Sequence, residues 1–148
     1  MNVRGLRAVC LVVLMSACAV ACDDGGAASE TSNPILESLP GSRWFLEFGT
    51  LGDEQLVPEQ RYPITLEFAE DAAFGSDGCN SYGSTLEMDT ATQTLEFIDM
   101  AQTARGCEPE PEVAEPYLSA LVLVDAYRID GRYLVLSGPG VELRFVPR

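Results

Sequence analysis

The feature that most limits the fold of this chain is a two-residue period in its apolar residues, which begins near Leu39 and continues almost to the end. Three segments alternate an apolar residue with a polar or charged one: Leu66 and Phe68, Leu95 and Phe97, and Val141, Leu143 and Phe145. Successive side chains of a β-strand point to opposite faces, so this period puts one face of each segment in a core. The sequence therefore predicts a domain built mainly of strands.

Two further segments, Arg43 to Phe48 and Arg132 to Ser137, also have the composition of strands. Residues 133–136 are apolar at every position, which is typical of a strand that is buried on both faces and lies centrally in a sheet. Turn residues separate the strands: Asp71 and Ala72, Gly75 to Gly78, Asp130-Gly131 as a tight hairpin, and Gly138-Pro139-Gly140.

One segment has the three- and four-residue period of an amphipathic helix, carried by Val113, Tyr117, Leu118, Leu121 and Val124. The predicted helix runs from near Pro116 to Val124 or starts a few residues earlier, because proline is tolerated only in a first turn. Four glutamates favour the positive end of the helix dipole at its start: Glu108, Glu110, Glu112 and Glu115. The predicted fold class is mainly β (α+β), an antiparallel curled sheet or small barrel-like domain with this one late helix.

The N-terminus has the layout of a secretory signal: Arg4 and Arg7, an uncharged run of 14 residues from Ala8 to Ala21, and then Cys22. The run is short of the roughly 18–20 apolar residues that span a bilayer. Cys22, and Cys18 as the alternative, each follow small residues in a way that resembles the bacterial lipobox, whose cysteine carries the lipid. An ordinary secreted protein cut near Ala21 is the competing interpretation.

These features divide the chain into a lipoprotein signal peptide (residues 1–22), a small-residue, polar tether (23–38) and one folded domain (39–148). We expect the domain to be anchored to a membrane by lipid in the bacterial cell envelope, facing the periplasm or the exterior. The sequence leaves the choice between inner and outer membrane open.

The chain is strongly acidic, with a net charge of −14, and every positive charge is an arginine. Cleavage near residue 21 removes two arginines and no acidic residue, which takes the charge to −16. Binding of nucleic acid depends on basic side chains that neutralise phosphates, so a nucleic-acid partner is excluded.

Histidine and lysine are both absent, which removes the usual general base, the usual nitrogen ligand of metals and the amine of Schiff bases. Paired carboxylates remain possible in principle, but Glu67, Glu96 and Glu142 alternate with predicted core residues and so face solvent. The acidic stretch from Asp71 to Asp77 lacks the ligand spacing of a calcium loop. We therefore expect no enzymatic activity, no cofactor and no specific metal.

Two motifs resemble a known family. Gly78-Cys79-Asn80-Ser81-Tyr82-Gly83 is followed by Met100-Ala101-Gln102-Thr103 and then by Cys107, in the order and spacing of the META domain, also called HslJ-like. The resemblance covers about Leu39 to Val146, with departures at Gly106 and Pro116. It implies a compact antiparallel β structure with a helix, found in bacterial envelope proteins and lipoproteins, and no established catalytic activity.

The motif also has a structural interpretation that needs no ligand. Gly78 and Gly83 permit backbone angles that other residues avoid, and Asn80 can bond its own backbone to fix a turn. The alternative is that Asn80 and Tyr82 take part in binding.

Cys79 and Cys107 are the cysteines that remain once the signal and its acceptor are set aside. An even pair in an oxidising compartment normally forms a bridge, so a disulfide is predicted. Zinc is a competing interpretation, but two cysteines without histidine make an incomplete site. A pair of buried free thiols is the other alternative.

The leading functional hypothesis is a non-catalytic envelope module that contacts another protein or helps the envelope tolerate stress, as the heat-shock association of the family suggests by analogy. The second hypothesis is a carrier that holds a lipid or another small hydrophobic molecule in a pocket of the domain. A lined internal cavity would favour the carrier, and an exposed apolar patch would favour the protein-binding module.

Overall fold

The computed structural model describes Leu39 and residues 41–148. The predicted signal peptide, both candidate lipid-acceptor cysteines and the tether lie outside these residues. In the described part of the chain the elements follow in the order β1 (Arg43–Leu51), β2 (Glu54–Leu56), β3 (Thr65–Phe68), β4 (Ala72–Ser76), β5 (Ser81–Asp89), β6 (Thr94–Gln102), α1 (Ala114–Val122), β7 (Ala126–Asp130), β8 (Tyr133–Gly138) and β9 (Val141–Pro147). No helix among them is long and apolar enough to cross a membrane.

All the strands belong to one antiparallel sheet that curls into a ring. Each strand from β3 to β9 pairs with the next, β1 pairs with β3, and β9 returns to pair with β1 from Trp44↔Pro147 to Leu51↔Val141. The three-residue strand β2 pairs only with the end of β1. The weakest join is between β6 and β7, where one residue pair, Thr94↔Ala126, spans the two strands.

The interior of the ring holds the predicted alternating residues. Leu66, Leu95, Leu143 and Phe145 are at most 1% exposed, and Trp44 is 2% exposed beside them. The two-residue period therefore identified the buried face of β3, β6 and β9 correctly. The strand-rich fold class is confirmed.

Strand β8 is central, as its apolar composition predicted, because it pairs with β7 on one side and β9 on the other. Leu134 and Leu136 belong to the core, while Val135 between them is also buried although it faces the other way. Val135 lies in register with Arg128 and Arg144, whose long side chains flank it on the outer face.

Helix α1 begins two residues before Pro116, so the proline occupies the first turn where its missing N–H costs little. The helix packs its buried face on the ring, and the Tyr117 ring meets Phe145 edge-to-face with centroids 6.4 Å apart. Its C-terminus lies against β8 so closely that a Cβ atom on Gly138 would come within 1.8 Å of the Leu123 carbonyl oxygen. The helix lies in sequence between β6 and β7, the two neighbouring strands that share only one residue pair.

Two of the predicted turns are wrong in detail. Ala72 and Gly75 lie inside β4, and the turn that follows begins only after Ser76. Gly75 pairs with Leu66 of β3, and the strand takes a glycine there because β3 comes too close for a side chain. The predicted hairpin after Asp130 is confirmed, with Gly131 and Arg132 as its two loop residues.

Candidate functional site

The family motif forms one structural unit at the turn between β4 and β5. We call residues Asp77–Asn80 the motif turn. Asp77 is only 1% exposed, and its Oδ1 accepts hydrogen bonds from the backbone N–H groups of Cys79 at 2.7 Å and Asn80 at 2.6 Å. The Asp77 N–H in turn donates to the Asn80 carbonyl oxygen at 3.1 Å. The side chain of Asp77 therefore fixes the turn.

Sequence reasoning assigned that role to Asn80 and missed Asp77, although an aspartate before a glycine is a known turn signal. Asn80 is buried too, but its Oδ1 accepts from the backbone N–H of Arg105, 25 residues further along the chain, at 2.8 Å. Gly78 does need its freedom, because its φ is +99° and a Cβ atom there would lie 3.0 Å from the Tyr62 carbonyl oxygen.

The segment after β6 is tied to the motif turn and to the start of β5. The Ser81 N–H donates to Thr103 Oγ1 at 3.1 Å, and the Thr103 N–H donates back to the Ser81 carbonyl at 2.9 Å. A disulfide joins Cys79 to Cys107, with Cα atoms 5.9 Å apart. The two halves of the motif, far apart in sequence, thus hold each other in place.

The side chain of Tyr82 extends from the motif into the core. Its hydroxyl donates to the Thr65 carbonyl oxygen at 2.8 Å and lies 2.7 Å from the Tyr117 hydroxyl, which donates to it. The two rings meet edge-to-face with centroids 5.8 Å apart. Burial raises the pKa of both phenols well above 10, and for Tyr82 the hydrogen bond with Tyr117 offsets part of that rise. The pair joins β5 to α1 and is not poised to exchange protons near neutral pH.

Gly83 does not need an unusual backbone angle, which corrects the sequence-based interpretation. A Cβ atom there would meet nothing nearer than the Ala73 carbonyl oxygen at 3.8 Å. The constrained glycine is Gly75, where a Cβ atom would lie 1.9 Å from the Thr65 carbonyl oxygen and 2.8 Å from the Tyr82 hydroxyl.

An open cleft of about 460 Å³ lies over this region, and we call it the motif cleft. Arg43 and Glu67 stand at one side of it, joined by an ion pair of 2.7 Å between Arg43 Nε and Glu67 Oε1. Its other lining residues come from the loop before β3, from strands β3 to β5 and from the motif turn: Pro63, Thr65, Phe74, Gly75, Ser76, Gly78, Ser81 and Tyr82. Phe74 is 44% exposed, so a large part of its ring is open to the cleft and to solvent.

The carboxylates that sequence reasoning considered do not converge. Glu67 pairs with Arg43 at the motif cleft, Glu142 lies 3.6 Å from Arg128 Nη2 on the outer face, and Glu96 is exposed on β6. Within residues 41–148 and Leu39, no three residues of the histidine, cysteine, aspartate or glutamate type lie together as a metal would need.

The interior of the described domain is filled by side chains, among which Trp44, Tyr117, Phe68 and Phe145 are the largest. A second cleft of about 460 Å³, between β1 and the loop before β3, is open to solvent like the motif cleft. Neither is the lined internal cavity that the carrier hypothesis requires.

Solved structures resemble this fold. A protein from Burkholderia xenovorans, determined by NMR, is 25% identical with a TM-score of 0.63, covering 78% of this chain and 87% of its own. A DUF4847 family protein from Bacteroides vulgatus is 14% identical with a TM-score of 0.53, covering 76% and 96%, which shows likeness of fold alone. No curated protein is significantly similar to the chain. The model of the META domain matches residues 37–148, most of the chain and all of the motif described above, and the chain therefore belongs to the META domain family.

Proposed function

We propose that this protein is a non-catalytic lipoprotein of the bacterial cell envelope whose META domain binds another protein through the motif cleft. Tolerance of envelope stress is the setting that the family resemblance suggests for such a module. The anchor is supported by the two arginines, the apolar run and the cysteines that follow small residues near position 22.

The observation that carries the proposal is the exposure of Phe74 in the motif cleft. An aromatic side chain that is 44% exposed, in a cleft of about 460 Å³, offers a partner apolar area with little loss of conformational freedom. The Arg43–Glu67 pair beside it adds a charged donor and acceptor to the rim. Apolar centres with polar rims are typical of protein-binding surfaces.

The non-catalytic part of the proposal rests on the residues available. The whole chain has no histidine or lysine to act as a base near neutral pH. The buried carboxylate in the motif region, Asp77, accepts two backbone hydrogen bonds in a turn, which is a structural role.

The test is photo-crosslinking in the producing cell with a crosslinking phenylalanine analogue at position 74. The matched control carries the analogue at position 48, because Phe48 is 38% exposed but does not line the motif cleft. We expect a discrete protein adduct from position 74 alone. We also expect Phe74→Ser to lower recovery of that same protein in a pull-down at least tenfold, with Phe48→Ser unchanged.

Equal adducts from both positions would contradict the motif cleft as the binding surface. Recovery of a lipid or another small hydrophobic molecule in place of a protein would favour the carrier hypothesis. A reaction with turnover that one Asp or Glu substitution abolishes, without loss of fold, would overturn the non-catalytic assignment.

A further inference from the structure

The Cys79–Cys107 disulfide joins two segments of the chain, one of which makes many more contacts with the rest of the domain than the other. Cys79 lies in the motif turn, where Asp77 accepts hydrogen bonds from the N–H groups of Cys79 and Asn80. Asp77 and Asn80 are both buried. The turn is therefore held by contacts that do not involve the sulfur atoms.

Cys107 lies in the segment Thr103–Pro111, which we call the latch segment. Its residues from Thr103 to Glu110 are exposed except Cys107, which is half-buried. Between the Thr103 pairing with Ser81 and the buried Pro111, this part of the described chain is joined to the rest of the domain by the disulfide and by one hydrogen bond, from the Arg105 N–H to Asn80 Oδ1. A single hydrogen bond of this kind is a weak restraint on an exposed segment.

From this asymmetry we propose that the Cys79–Cys107 disulfide is a redox-operated latch, which a dithiol opens to free the latch segment while the strands stay folded. Exposed backbone with few buried contacts opens at a small fraction of the cost of global unfolding. Thr103, held by Ser81, and Pro111, which packs near Gly78, form the two fixed ends. This inference concerns the regulation of the motif region and stands or falls separately from the identity of any partner.

The chemistry is ordinary thiol–disulfide exchange. A thiolate of the dithiol attacks one of the two sulfurs and releases the other as a cysteine thiolate, which takes up a proton. The second thiolate of the reductant then attacks the mixed disulfide and frees the remaining cysteine. Two electrons pass to the protein, the reductant becomes a disulfide, and its two protons end on Cys79 and Cys107. Both cysteines are half-buried, so the bond is not sealed within the core.

Both fixed ends of the latch segment lie beside the motif cleft, at its Gly78 end. Pro111 Cγ lies 3.6 Å from the position that a Cβ atom on Gly78 would occupy, so the end of the latch segment packs against the motif turn. Gly78 lines the motif cleft beside Ser81, whose backbone holds Thr103. The residues between Thr103 and Pro111 are therefore freed next to this wall of the cleft, while the wall itself stays in place.

Limited proteolysis with trypsin tests the latch, because the chain has no lysine and Arg105 is the one arginine inside the latch segment. The full-length protein in detergent is compared in three forms: oxidised, reduced with dithiothreitol and then alkylated before trypsin is added, and Cys79→Ser/Cys107→Ser. Fragments are measured by mass spectrometry after full reduction. Cleavage after Arg128 and Arg144, which lie within β7 and β9, serves as the internal control.

We expect the rate of cleavage after Arg105 to rise at least tenfold in both forms that lack the disulfide, with the rates at Arg128 and Arg144 unchanged. Hydrogen exchange should quicken in the latch segment and stay slow in β4 and β5. An unchanged rate at Arg105 would show that the segment is held without the disulfide and would overturn the proposal. A parallel rise at all three arginines would also overturn it, because the bond would then maintain the whole fold.

Discussion

At the scale of single residues, replacing Gly75 or Gly83 by alanine should have opposite effects on the free energy of unfolding, although the two glycines lie on paired strands. For Gly75→Ala the added Cβ would stand 1.9 Å from the Thr65 carbonyl oxygen, a backbone atom that can yield only if strands β3 and β4 separate. We expect it to lower the free energy of unfolding by about 3 kcal/mol, near the upper end of the cost of overpacking. Urea unfolding followed by fluorescence of Trp44, the one tryptophan, measures it.

Gly83→Ala is the matched control, because its nearest contact would be an ordinary 3.8 Å. Restriction of the unfolded chain should make it neutral or stabilising by up to about 1 kcal/mol. If the two variants had equal stability, the close approach of β3 to Gly75 would be wrong.

The sequence could predict which residues belong to the candidate site, but not which hydrogen bonds they form. The glycines, Cys79 and Cys107 were visible as a pattern, and the disulfide was predicted from their even number on the expectation that the chain is exported. The partners of Asn80 and Thr103 were not visible, because they depend on which strands meet, and Arg105 and Ser81 are distant in sequence. Asp77 was overlooked because aspartates near a glycine-rich turn usually face solvent, whereas this one is buried.

At the scale of elements, helix α1 should owe its stability to one buried face. Leu121→Ala removes a fully buried side chain and should cost about 2–5 kcal/mol of unfolding free energy. The neighbouring Val122 is 59% exposed, so Val122→Ala should change stability by less than about 0.5 kcal/mol. Denaturant midpoints of the two variants compare the faces directly, and similar losses would mean that the helix is packed differently.

The sequence predicted the strands whose apolar residues follow a regular pattern and missed the strands that lack one. β3, β6 and β9 present alternate apolar residues to the interior, so periodicity found them, and β8 was found by its unbroken run of apolar residues. β5 points Tyr82, Ser84 and Leu86 inward, and the polar Ser84 together with Gly83 on the other face hides the alternation. β2 has only three residues, too few for any period to be recognised. Helix α1 starts at Ala114 because Pro116 must fall in its first turn.

At the scale of the whole molecule, the buried tyrosines should make the free energy of unfolding fall as the pH rises above about 10. The folded-state pKa values of Tyr82, Tyr117 and Tyr127 are raised by burial, whereas in the unfolded chain these phenols ionise near pH 10. Above that pH the unfolded state releases protons that the folded state keeps. The buried Tyr82 and Tyr117 should therefore each lower the free energy of unfolding by about 1.4 kcal/mol per pH unit, until the pH reaches their folded-state pKa. The chain has no lysine, a residue whose own titration would otherwise overlap with that of the tyrosines.

Urea unfolding between pH 8 and pH 11 measures the slope, and Tyr82→Phe provides the comparison. The variant should be less stable at pH 8, because the Thr65 carbonyl and the Tyr117 hydroxyl lose a partner, but its slope above pH 10 should be shallower by about one proton. A slope unaffected by the substitution would show that Tyr82 is not a source of the alkaline loss.

Membrane attachment is a second property of the whole molecule that can be measured. We expect the expressed protein to enter the detergent phase on phase partitioning, because acyl chains contribute about 0.8 kcal/mol per buried methylene. Cys22→Ser should move it to the aqueous phase, and Cys18→Ser is the matched variant that identifies the acceptor if Cys22→Ser has no effect. Wild-type protein found entirely in water, with unmodified cysteines by mass spectrometry, would refute the lipid anchor.

The pairing of β1 with β9 has a consequence for when the domain can fold. The first and last strands of the described domain are neighbours from Trp44↔Pro147 to Leu51↔Val141, so the sheet cannot close until the final residues are available. Contacts between sequence-distant strands give a high contact order, which slows folding to milliseconds or seconds. A ribosome adds about 5–20 residues per second, so the chain spends several seconds without its closing strand. Throughout that interval the nascent domain remains open, with the edge of β1 that later pairs with β9 still unpaired.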